Sequence, residues 1–403
     1  MIRVKDEIKA RYRSEKGPLF FISAGDPSGD IYGSSLVKEL KSRYPESSYI
    51  GLGGHRMRKA GVHLLADPER IALVGFTEVV RDLPYLHGLL RESESIFRDL
   101  HPELVILIDY PGFNLRLARR AKRRGRKTLF YVSPQVWAWR KGRCRNLIRD
   151  SDEIAVILPF EVEFFHGLGK EVHYVGHPII EEISAREPLE SFRKRYHISP
   201  DLPVLGLSPG SRRSEIDYHL PVLLEIARLI RESIPEIQVL INRSPTISAR
   251  ELQDRYLKEH DDIRVIHDSH HTSIEATSLL LTKSGTTTLE AALLLRPMIV
   301  CYRMSWISYR IARTLIQVPY VSLVNILAGK PVVPEYIQYA FTPDRIFPVA
   351  LELLKDERAR GTMREALRNV VGKMAGGRAN ERVAKLAMSL IEGEWPIGDS
   401  SGD

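Results

Sequence analysis

The segment LFFISAGDPSGDIYGSSLVKELKS, residues 19–42, decides the fold class of this chain. Leu19–Ile22 is a short apolar run that predicts a buried strand, and Ile31–Ser42 has the spacing of an amphipathic helix. The turn between them, Ser23–Asp30, contains Gly25, Pro27 and Gly29. A buried strand that leads through a glycine-rich turn into a helix is typical of parallel α/β sheets.

The same pattern of strand, turn and helix returns along the chain in two series. The first series continues with the apolar runs Tyr49–Leu52, Leu104–Ile108, Thr128–Val132 and Ile154–Leu158. The second series contains Val204–Ser208, Ile237–Ile241, Ile263–Ile266, Leu279–Thr282 and Met298–Tyr302. Further helical patterns cover Phe113–Arg124, Ser214–Ile234 and Thr286–Leu295. Because strands and helices alternate, we predict two Rossmann-like domains with mostly parallel sheets.

A charged stretch over residues 184–202 separates the two series and is predicted to link the domains. We expect a first domain over residues 1–184 and a second over residues 185–365. Residues 366–403 are predicted to form a C-terminal helix that packs back on the first domain, followed by a disordered tail. The length of 403 residues fits two domains, since one domain takes about 100–200 residues.

Composition excludes several classes of protein. With 43% hydrophobic and 27% charged residues, the chain is globular. The longest apolar stretch, residues 289–302, is interrupted by Glu290 and Arg296, so no membrane-spanning helix is predicted. The two cysteines, Cys144 and Cys301, exclude a disulfide scaffold and a cysteine-based zinc cluster. Because the first residues lack the apolar core of a secretion signal, we expect a cytosolic protein.

Positive charge is concentrated in one segment. The whole chain has a net charge of +8, yet residues 110–149 contain thirteen Lys and Arg and no Asp or Glu. Such a segment predicts an anionic partner: nucleic acid, phospholipid headgroups or a phosphorylated substrate. The helix Phe113–Arg124 fits either a solvated basic face or one docked on anionic lipid.

Two turns of the second series point to a nucleotide site. Pro209–Arg213 follows one predicted strand, and Lys283–Thr288 follows another. Small and hydroxylated residues at a helix start can bind a diphosphate, although each turn alone also fits an ordinary capped helix. An arginine can neutralise the phosphates, and a carboxylate one turn into the helix can accept both ribose hydroxyls. The residues expected at the nucleotide are Gly210, Ser211, Arg212, Ser284, Gly285, Thr286 and Glu290.

Asp109 ends the buried run Leu104–Ile108. A carboxylate at the carboxyl end of a parallel strand faces the crevice where α/β proteins bind ligands. It fits a general base, and equally a residue that only caps the following helix. We expect the start of that helix to keep the carboxylate ionised.

Taken in order, these motifs resemble the lipid-A-disaccharide synthase family over Leu19–Ile391. The residues that carry the resemblance are Ser23–Asp30, Gly51–Gly54, Ile108–Asn114, Tyr131–Arg140, Leu158–Glu161, Val175–His177, Leu207–Arg212, Ser284–Glu290 and Tyr320–Gly329. The family usually has Glu-Ala where this chain has Asp26 and Pro27, and Leu-Pro-Asn where it has Leu323–Asn325.

The resemblance implies a GT-B fold, with two facing Rossmann-like domains and a C-terminal helical segment. It implies an inverting, UDP-sugar-dependent glycosyltransferase with Asp109 as its base. UDP-2,3-diacylglucosamine would react with 2,3-diacylglucosamine 1-phosphate (lipid X) to give the β-1,6-linked disaccharide 1-phosphate and UDP. Asn325 would join the donor site. The residues expected at the acceptor or lining the site are Asp26, Ser28, Gly29, Asp30, Gln135, Trp137 and Arg140.

The same resemblance implies no cofactor and no metal, since no carboxylate pair is placed to hold Mg²⁺ at the diphosphate and Arg212 takes its place. It implies a cytoplasmic protein held on the anionic inner-membrane surface by residues 110–149, with no nucleic acid bound and an oligomer allowed. Three alternatives stay open. They are another GT-B enzyme such as a nucleotide-sugar epimerase or a peptidoglycan glycosyltransferase, a nucleic-acid-binding protein, and a non-enzymatic peripheral membrane protein.

Overall fold

The computed structural model describes Tyr12 and residues 17–67, 79–134, 137, 141–243, 247–258, 260, 262–315, 318–374 and 376–393. The chain divides into two compact units. The first contains Met1–Pro178 and Ala375–Asp403, and the second contains Ile179–Met374. The predicted tail lies mostly outside the described residues.

The first unit is built on a parallel sheet, with seven strands among its described residues in the order β3-β2-β1-β4-β5-β6-β7. The strands are β1 (Leu19–Ala24), β2 (Ser48–Leu52), β3 (His63–Leu64), β4 (Leu104–Ile108), β5 (Lys127–Tyr131), β6 (Glu153–Val156) and β7 (His173–Tyr174). Apolar side chains of five neighbouring strands form one buried cluster, which includes Phe21, Ile50, Val105, Phe130 and Ile154.

Helices connect these strands and cover the sheet. They are α1 (Pro27–Arg43), α2 (His55–Ala60), α3 (Val79–Asp99), α4 (Pro111–Arg123), α5 (Lys141–Asp150) and α6 (Phe160–His166). Helix α1 begins four residues earlier than predicted, because Asp26 caps it and Pro27 occupies its first turn. Ser28, Gly29 and Asp30 therefore lie in a helical turn and not in a loop.

The second unit has a parallel sheet of six strands among its described residues, in the order β10-β9-β8-β11-β12-β13. The strands are β8 (Val204–Ser208), β9 (Gln238–Asn242), β10 (Arg264–Ile266), β11 (Leu279–Lys283), β12 (Met298–Tyr302) and β13 (Glu335–Ile337). Because β8 and β11 pair with Ser208 opposite Thr282, the turns that follow them are neighbours at one edge.

The helices of the second unit are α7 (Ile179–Ser184), α8 (Leu189–Arg195), α9 (Arg213–Ser233), α10 (Ala249–Tyr256), α11 (His270–Glu275), α12 (Thr286–Leu293), α13 (Trp306–Leu315), α14 (Leu323–Ala328), α15 (Pro343–Lys355) and α16 (Glu357–Val371). Residues 184–202, predicted to link the domains, include α8. Phe192 and Ile198 from this stretch are buried against Val204 and Leu240 of the second sheet. The stretch is therefore part of the second unit's core.

The last helix, α17 (Ala379–Glu392), packs against α1 and β5 in the first unit. Its Val383, Ala384 and Ala387 are fully buried. Among the described residues, no helix has both the length and the apolar character that crossing a bilayer would require.

Candidate active site

Asp109 follows β4 at the carboxyl edge of the first sheet and is half-buried. Its backbone has φ 43°, and that of Tyr110 has φ 51°, a left-handed conformation that side-chain-bearing residues seldom adopt. Two bonds hold this bend. The Asp109 N–H donates to Tyr131 O at 3.1 Å, and the buried Asn114 amide donates to Asp109 O at 2.8 Å. Helix α4 is capped by Tyr110, so Asp109 is not its N-cap residue.

The carboxyl of Asp109 favours its protonated form. Desolvation is the largest cause, and the negative charge of Asp26 adds to it, while the Tyr110 N–H works against it; together they raise the pKa to about 8. The expectation that the helix start keeps this group ionised is therefore wrong. Desolvation of the carboxyl raises its pKa by more than the single Tyr110 N–H at the helix start lowers it.

The acidic side chains of the first turn are engaged in capping. The Gly29 N–H donates to Asp26 Oδ1 at 2.8 Å, which begins α1. Asp30 accepts the N–H groups of Gly54, Arg56 and Met57 at 2.8–3.0 Å and so caps α2. Asp30 thus holds helix α2 in place, and its predicted contact with the acceptor stays a prediction.

Trp137 is buried, and its indole N–H donates to Glu161 Oε1 at 3.3 Å. Its ring packs edge-on against Phe160. Glu161 also accepts the N–H groups of Ile157 and Leu158, and burial raises its pKa to about 7 against those bonds. Trp137 therefore packs against the α6 region, and its predicted place at the acceptor stays a prediction. Two other predicted residues, Gln135 and Arg140, lie outside the described residues.

An apolar cavity lies beside this edge, between α3 and the first sheet. It is lined by Ser23, Ala24, Leu52, Tyr85, Leu86, Leu89, Tyr110 and Phe113. The Tyr110 ring covers Gly25 so closely that a Cβ there would meet it at 2.3 Å. This approach explains why the turn after β1 needs glycine at that position.

In the second unit, the turn after β8 is organised by Glu215. Its Oε2 accepts the Ser211 N–H at 2.9 Å and the Arg212 N–H at 3.2 Å. Gly210 has φ 127°, and a Cβ there would meet Glu215 at 2.6 Å. These two N–H groups were expected at a diphosphate, but the carboxylate of Glu215 occupies them. The exposed Arg212 side chain is what this turn offers to a ligand.

The turn after β11 offers backbone donors. Helix α12 begins after Gly285 without a side-chain capping bond. The Thr288 N–H donates to Gly285 O at 3.1 Å, so the N–H groups of Thr286 and Thr287 are the ones that this helix start offers to a ligand. The buried Ser284 hydroxyl donates to Val321 O at 2.8 Å, which fixes the start of the turn. Thr286, in the first turn of the helix, is half-buried. An anion at this helix start is favoured by the free N–H groups and the helix dipole.

Lys283 connects the two turns. Its Nζ lies 3.1 Å from Glu215 Oε1, and the ammonium lies over the Tyr302 ring at 5.9 Å. A positive charge is thus placed between the Arg212 turn and the Ser284 turn. Sequence reasoning missed this pair, because its members are far apart in the chain and only the pairing of β8 with β11 brings them together.

Glu290 is buried in α12 and faces two histidines. His270 Nε2 lies 2.7 Å from one carboxylate oxygen, and His271 Nε2 lies 3.7 Å from the other. Burial favours the neutral acid, yet the two histidines hold the pKa of Glu290 well below its ordinary value. Desolvation acts against the charged imidazole, but Glu290 raises the pKa of His270. The adjacent histidines at the start of α11 were the signal that sequence reasoning left unused.

Asn325 is fully buried, and its amide is saturated by the fold. Its Nδ2 donates to Val333 O and Glu335 Oε1 at 2.9 and 2.8 Å, and its Oδ1 accepts the N–H groups of Val332 and Val333. With four bonds made, the amide leaves no donor for a nucleotide. It positions the segment around α14, whose Val321 carbonyl holds Ser284.

Among the described residues, no group of three His, Cys, Asp or Glu side chains is placed to hold a metal ion. A pair with Asp-x-Asp spacing, Asp150 and Asp152, occurs in the first unit. Asp150 pairs with Arg149 at 2.5 Å, and Asp152 accepts from Thr128 and Lys122. Both carboxylates therefore stabilise the local fold.

The basic segment is partly neutralised by acids from other elements. Glu94 of α3 pairs with Arg120 at 2.5 Å and with Arg124 at 2.8 Å. The Phe113, Leu117 and Ala121 face of α4 is buried, as predicted. On the opposite side, three exposed arginines share one helical stripe: Arg116, Arg119 and Arg123.

Comparisons with known sequences agree with the resemblance noted above. A family profile described as lipid-A-disaccharide synthetase matches residues 20–387. The chain is 42% identical to a lipid-A-disaccharide synthase from Nitrosococcus oceani, over 94% of this chain and 97% of that protein. It is 40% identical to one from Syntrophus aciditrophicus, over 93% of this chain and 98% of that protein.

Solved structures share the fold at low sequence identity. A UDP-GlcNAc 2-epimerase from Neisseria meningitidis bound to UDP-GlcNAc has a TM-score of 0.64 at 12% identity, over 92% of this chain and 99% of that one. The calicheamicin glycosyltransferase CalG4 has a TM-score of 0.57 at 15% identity, over 94% of this chain and 99% of that one. The prediction of a GT-B fold with two parallel-sheet, Rossmann-like domains is confirmed.

Proposed function

This chain belongs to the lipid-A-disaccharide synthase family, a family of glycosyltransferases in lipid A biosynthesis, and from that premise we propose its substrates and mechanism. The donor is UDP-2,3-diacylglucosamine, and the acceptor is 2,3-diacylglucosamine 1-phosphate (lipid X). The products are the β-1,6-linked disaccharide 1-phosphate and UDP, with inversion at the anomeric carbon.

The observation that carries the mechanism is Asp109. Its carboxyl lies at the carboxyl edge of a parallel sheet, its backbone is fixed by Tyr131 and Asn114, and its pKa is raised toward 8. A base with a raised pKa accepts a proton more readily than an ordinary carboxylate. Asp109 takes the proton of the acceptor hydroxyl as that oxygen bonds to the donor's anomeric carbon. The bond to the diphosphate breaks, and UDP leaves with the electron pair.

The second unit supplies the donor site. The N–H groups of Thr286 and Thr287 at the start of α12 and the side chains of Arg212 and Lys283 meet the diphosphate charge without a metal ion. Glu290 accepts the ribose hydroxyls, held by His270. Asn325 acts on the nucleotide through the segment it positions.

The first unit holds the acceptor. The basic segment suits the phosphate of lipid X. We infer that the exposed stripe on α4 meets anionic headgroups and that the enzyme works at the cytoplasmic face of the inner membrane as a peripheral protein.

The direct test is to incubate the protein with UDP-diacylglucosamine and lipid X and to identify the disaccharide and its anomeric configuration by NMR. An epimerase of the same fold would instead interconvert UDP-GlcNAc in the absence of acceptor. Disaccharide with the β configuration supports the proposal. Epimerised UDP-sugar without disaccharide, or a retained configuration, contradicts it.

A further inference from the structure

Large hydrophobic side chains are exposed along one edge of the second sheet. Tyr218, Trp306, Ile307 and Tyr339 are 39%, 58%, 67% and 69% exposed, and we call these four residues the edge patch. Several large exposed apolar side chains at one edge commonly mark an interaction site, whereas scattered single residues do not.

Strand direction places the four residues at the same edge of the sheet. Tyr218 lies in the second turn of α9 after β8, Trp306 and Ile307 begin α13 after β12, and Tyr339 follows β13. Because these strands are parallel, all four residues follow carboxyl ends at the same edge. The donor turns that contain Arg212 and Ser284 begin at this edge as well.

Hydrogen bonds between the turns make the edge a fixed surface. His219 Nδ1 donates to Pro209 O at 2.7 Å, and its Nε2 accepts the Arg303 N–H at 2.8 Å, which ties the turn after β8 to the turn after β12. Gln338 accepts the Met304 N–H at 3.1 Å and donates to Met304 O at 2.7 Å. The Tyr339 ring also contacts Tyr309 of α13 edge-on.

The charge around Trp306 and Ile307 is positive. Residues 291–334 contain no Asp or Glu. The Arg310 guanidinium lies 5.2 Å over the Trp306 ring, and Arg313 is exposed one turn further along α13. Of the described side chains of α13, Ala312 alone is buried. A helix whose described side chains expose Trp, Ile and Arg and bury only Ala312 fits the interface of an anionic bilayer, where aromatic rings lie at the headgroups.

We propose that the edge patch inserts into the headgroup region of an anionic phospholipid bilayer and holds the donor turns at the membrane surface. The inference deepens the proposed function and rests on it in one respect. A UDP-sugar that carries two acyl chains stays in the bilayer, so a donor site has to reach the bilayer surface. The edge patch and the basic stripe on α4 lie in different units and are separate contacts.

The test compares the full chain with the double variant Trp306→Ser/Ile307→Ser in co-sedimentation with vesicles. The vesicles contain phosphatidylglycerol mixed with phosphatidylcholine, or phosphatidylcholine alone. A matched control is Leu168→Ser/Leu202→Ser, which removes two apolar side chains that are 43% and 38% exposed elsewhere. Loss of two inserted side chains should weaken partitioning onto anionic vesicles by about tenfold, with no such change in the control. Melting temperatures of the parent and both variants check that all three proteins fold.

A UDP titration of the same proteins separates the two proposals. Unchanged UDP affinity with lost vesicle binding supports the edge patch as a membrane contact. Equal vesicle binding by the parent and the patch variant overturns it. The proposal is also overturned if the parent is a dimer, the patch variant is a monomer and both bind vesicles equally, since the patch would then bind a second copy of the chain. If the parent binds vesicles through the edge patch but does not bind UDP, the membrane contact is supported and the proposed donor site is refuted.

Discussion

The Lys283 ammonium lies 3.1 Å from Glu215 Oε1, while Oε2 of the same carboxylate accepts the N–H groups of Ser211 and Arg212. One buried carboxylate thus ties together the two turns assigned to the UDP diphosphate. Burial favours its neutral form, but Lys283 and the backbone bonds hold the pKa of Glu215 below its ordinary value. The stabilisation from this pair is therefore complete above the ordinary pKa of glutamate and is lost as the pH falls through the lowered one.

Lys283→Met should weaken UDP binding by about 1–3 kcal/mol, since both a charge near the diphosphate and the partner of Glu215 are removed. Calorimetric titration with UDP measures the change. Lys283→Arg keeps the charge and should lose less. If Lys283→Met binds UDP like the parent, Lys283 serves the fold alone.

Arg212→Ala and Glu290→Gln should each weaken UDP binding by about 1–3 kcal/mol, the scale of a hydrogen bond to a charged group. Arg213→Ala is the matched control for the first variant, because the adjacent Arg213 pairs with Glu251. UDP affinity in the control should equal that of the parent. Parental affinity in both test variants would remove these residues from the donor site.

Turnover should persist in excess EDTA, because Arg212, Lys283 and the start of α12 supply the positive field that a divalent cation would otherwise provide. The measurement is the initial rate of disaccharide formation with EDTA and then with added Mg²⁺. Loss of activity in EDTA and its recovery in Mg²⁺ would refute the metal-free mechanism.

Binding to anionic vesicles should fall as salt rises, since screening shortens the reach of a charge to about 8 Å at 0.15 M ionic strength. Replacing Arg116, Arg119 and Arg123 with alanine should weaken this binding, at about 1 kcal/mol for each residue near the surface. Arg120→Ala/Arg124→Ala is the control, because both arginines already pair with Glu94. An equal effect of the two sets would leave the exposed stripe without a special role.

Local patterns were enough to predict the two sheets. The longer strands were found because each is a short apolar run, and in the first series each run ends at Gly, Pro, Ser or Asp, as Leu104–Ile108 does before Asp109. The short strands β3 and β7 have only two residues each, and so carry no periodic signal. The three-residue strand β13 was missed as well, although β10, which has the same length, was predicted within Ile263–Ile266. Helix α1 began early because a capping aspartate and a proline turned part of the predicted loop into its first turn.

The candidate site was predictable in its positions but not in its electrostatics. Asp109 could be chosen because it follows a strand, Arg212 because it precedes a helix, and Glu290 because it lies one turn into a helix that follows a strand. The partners that set their chemistry come from distant segments, as His270 does for Glu290. Whether a carboxyl is ionised depends on desolvation and neighbouring charges, and neither is visible along a sequence.

Asp109 gives the most specific prediction, because its raised pKa makes turnover and stability change in opposite directions as the pH rises. Only the ionised carboxylate can accept a proton, so turnover should rise with pH through about 8. Asp109→Asn should lose roughly 10²–10⁴ in turnover with UDP binding unchanged. Stability should move the other way. A carboxyl with a raised pKa stabilises the fold below its ordinary pKa, and that contribution is lost as the pH rises through the raised value.

The asparagine variant avoids the cost of ionising this group, so its melting temperature should equal or exceed that of the parent at pH 9. Glu103→Gln is a control carboxyl that accepts the Leu19 N–H at 2.6 Å at the far end of the same sheet. It should leave the pH profile of turnover unchanged. A parental rate in Asp109→Asn would assign the proton to another group, with Asp26 the next to test. A large fall in melting temperature at every pH would show that the bend between β4 and α4 depends on the Asp109 carboxylate for folding.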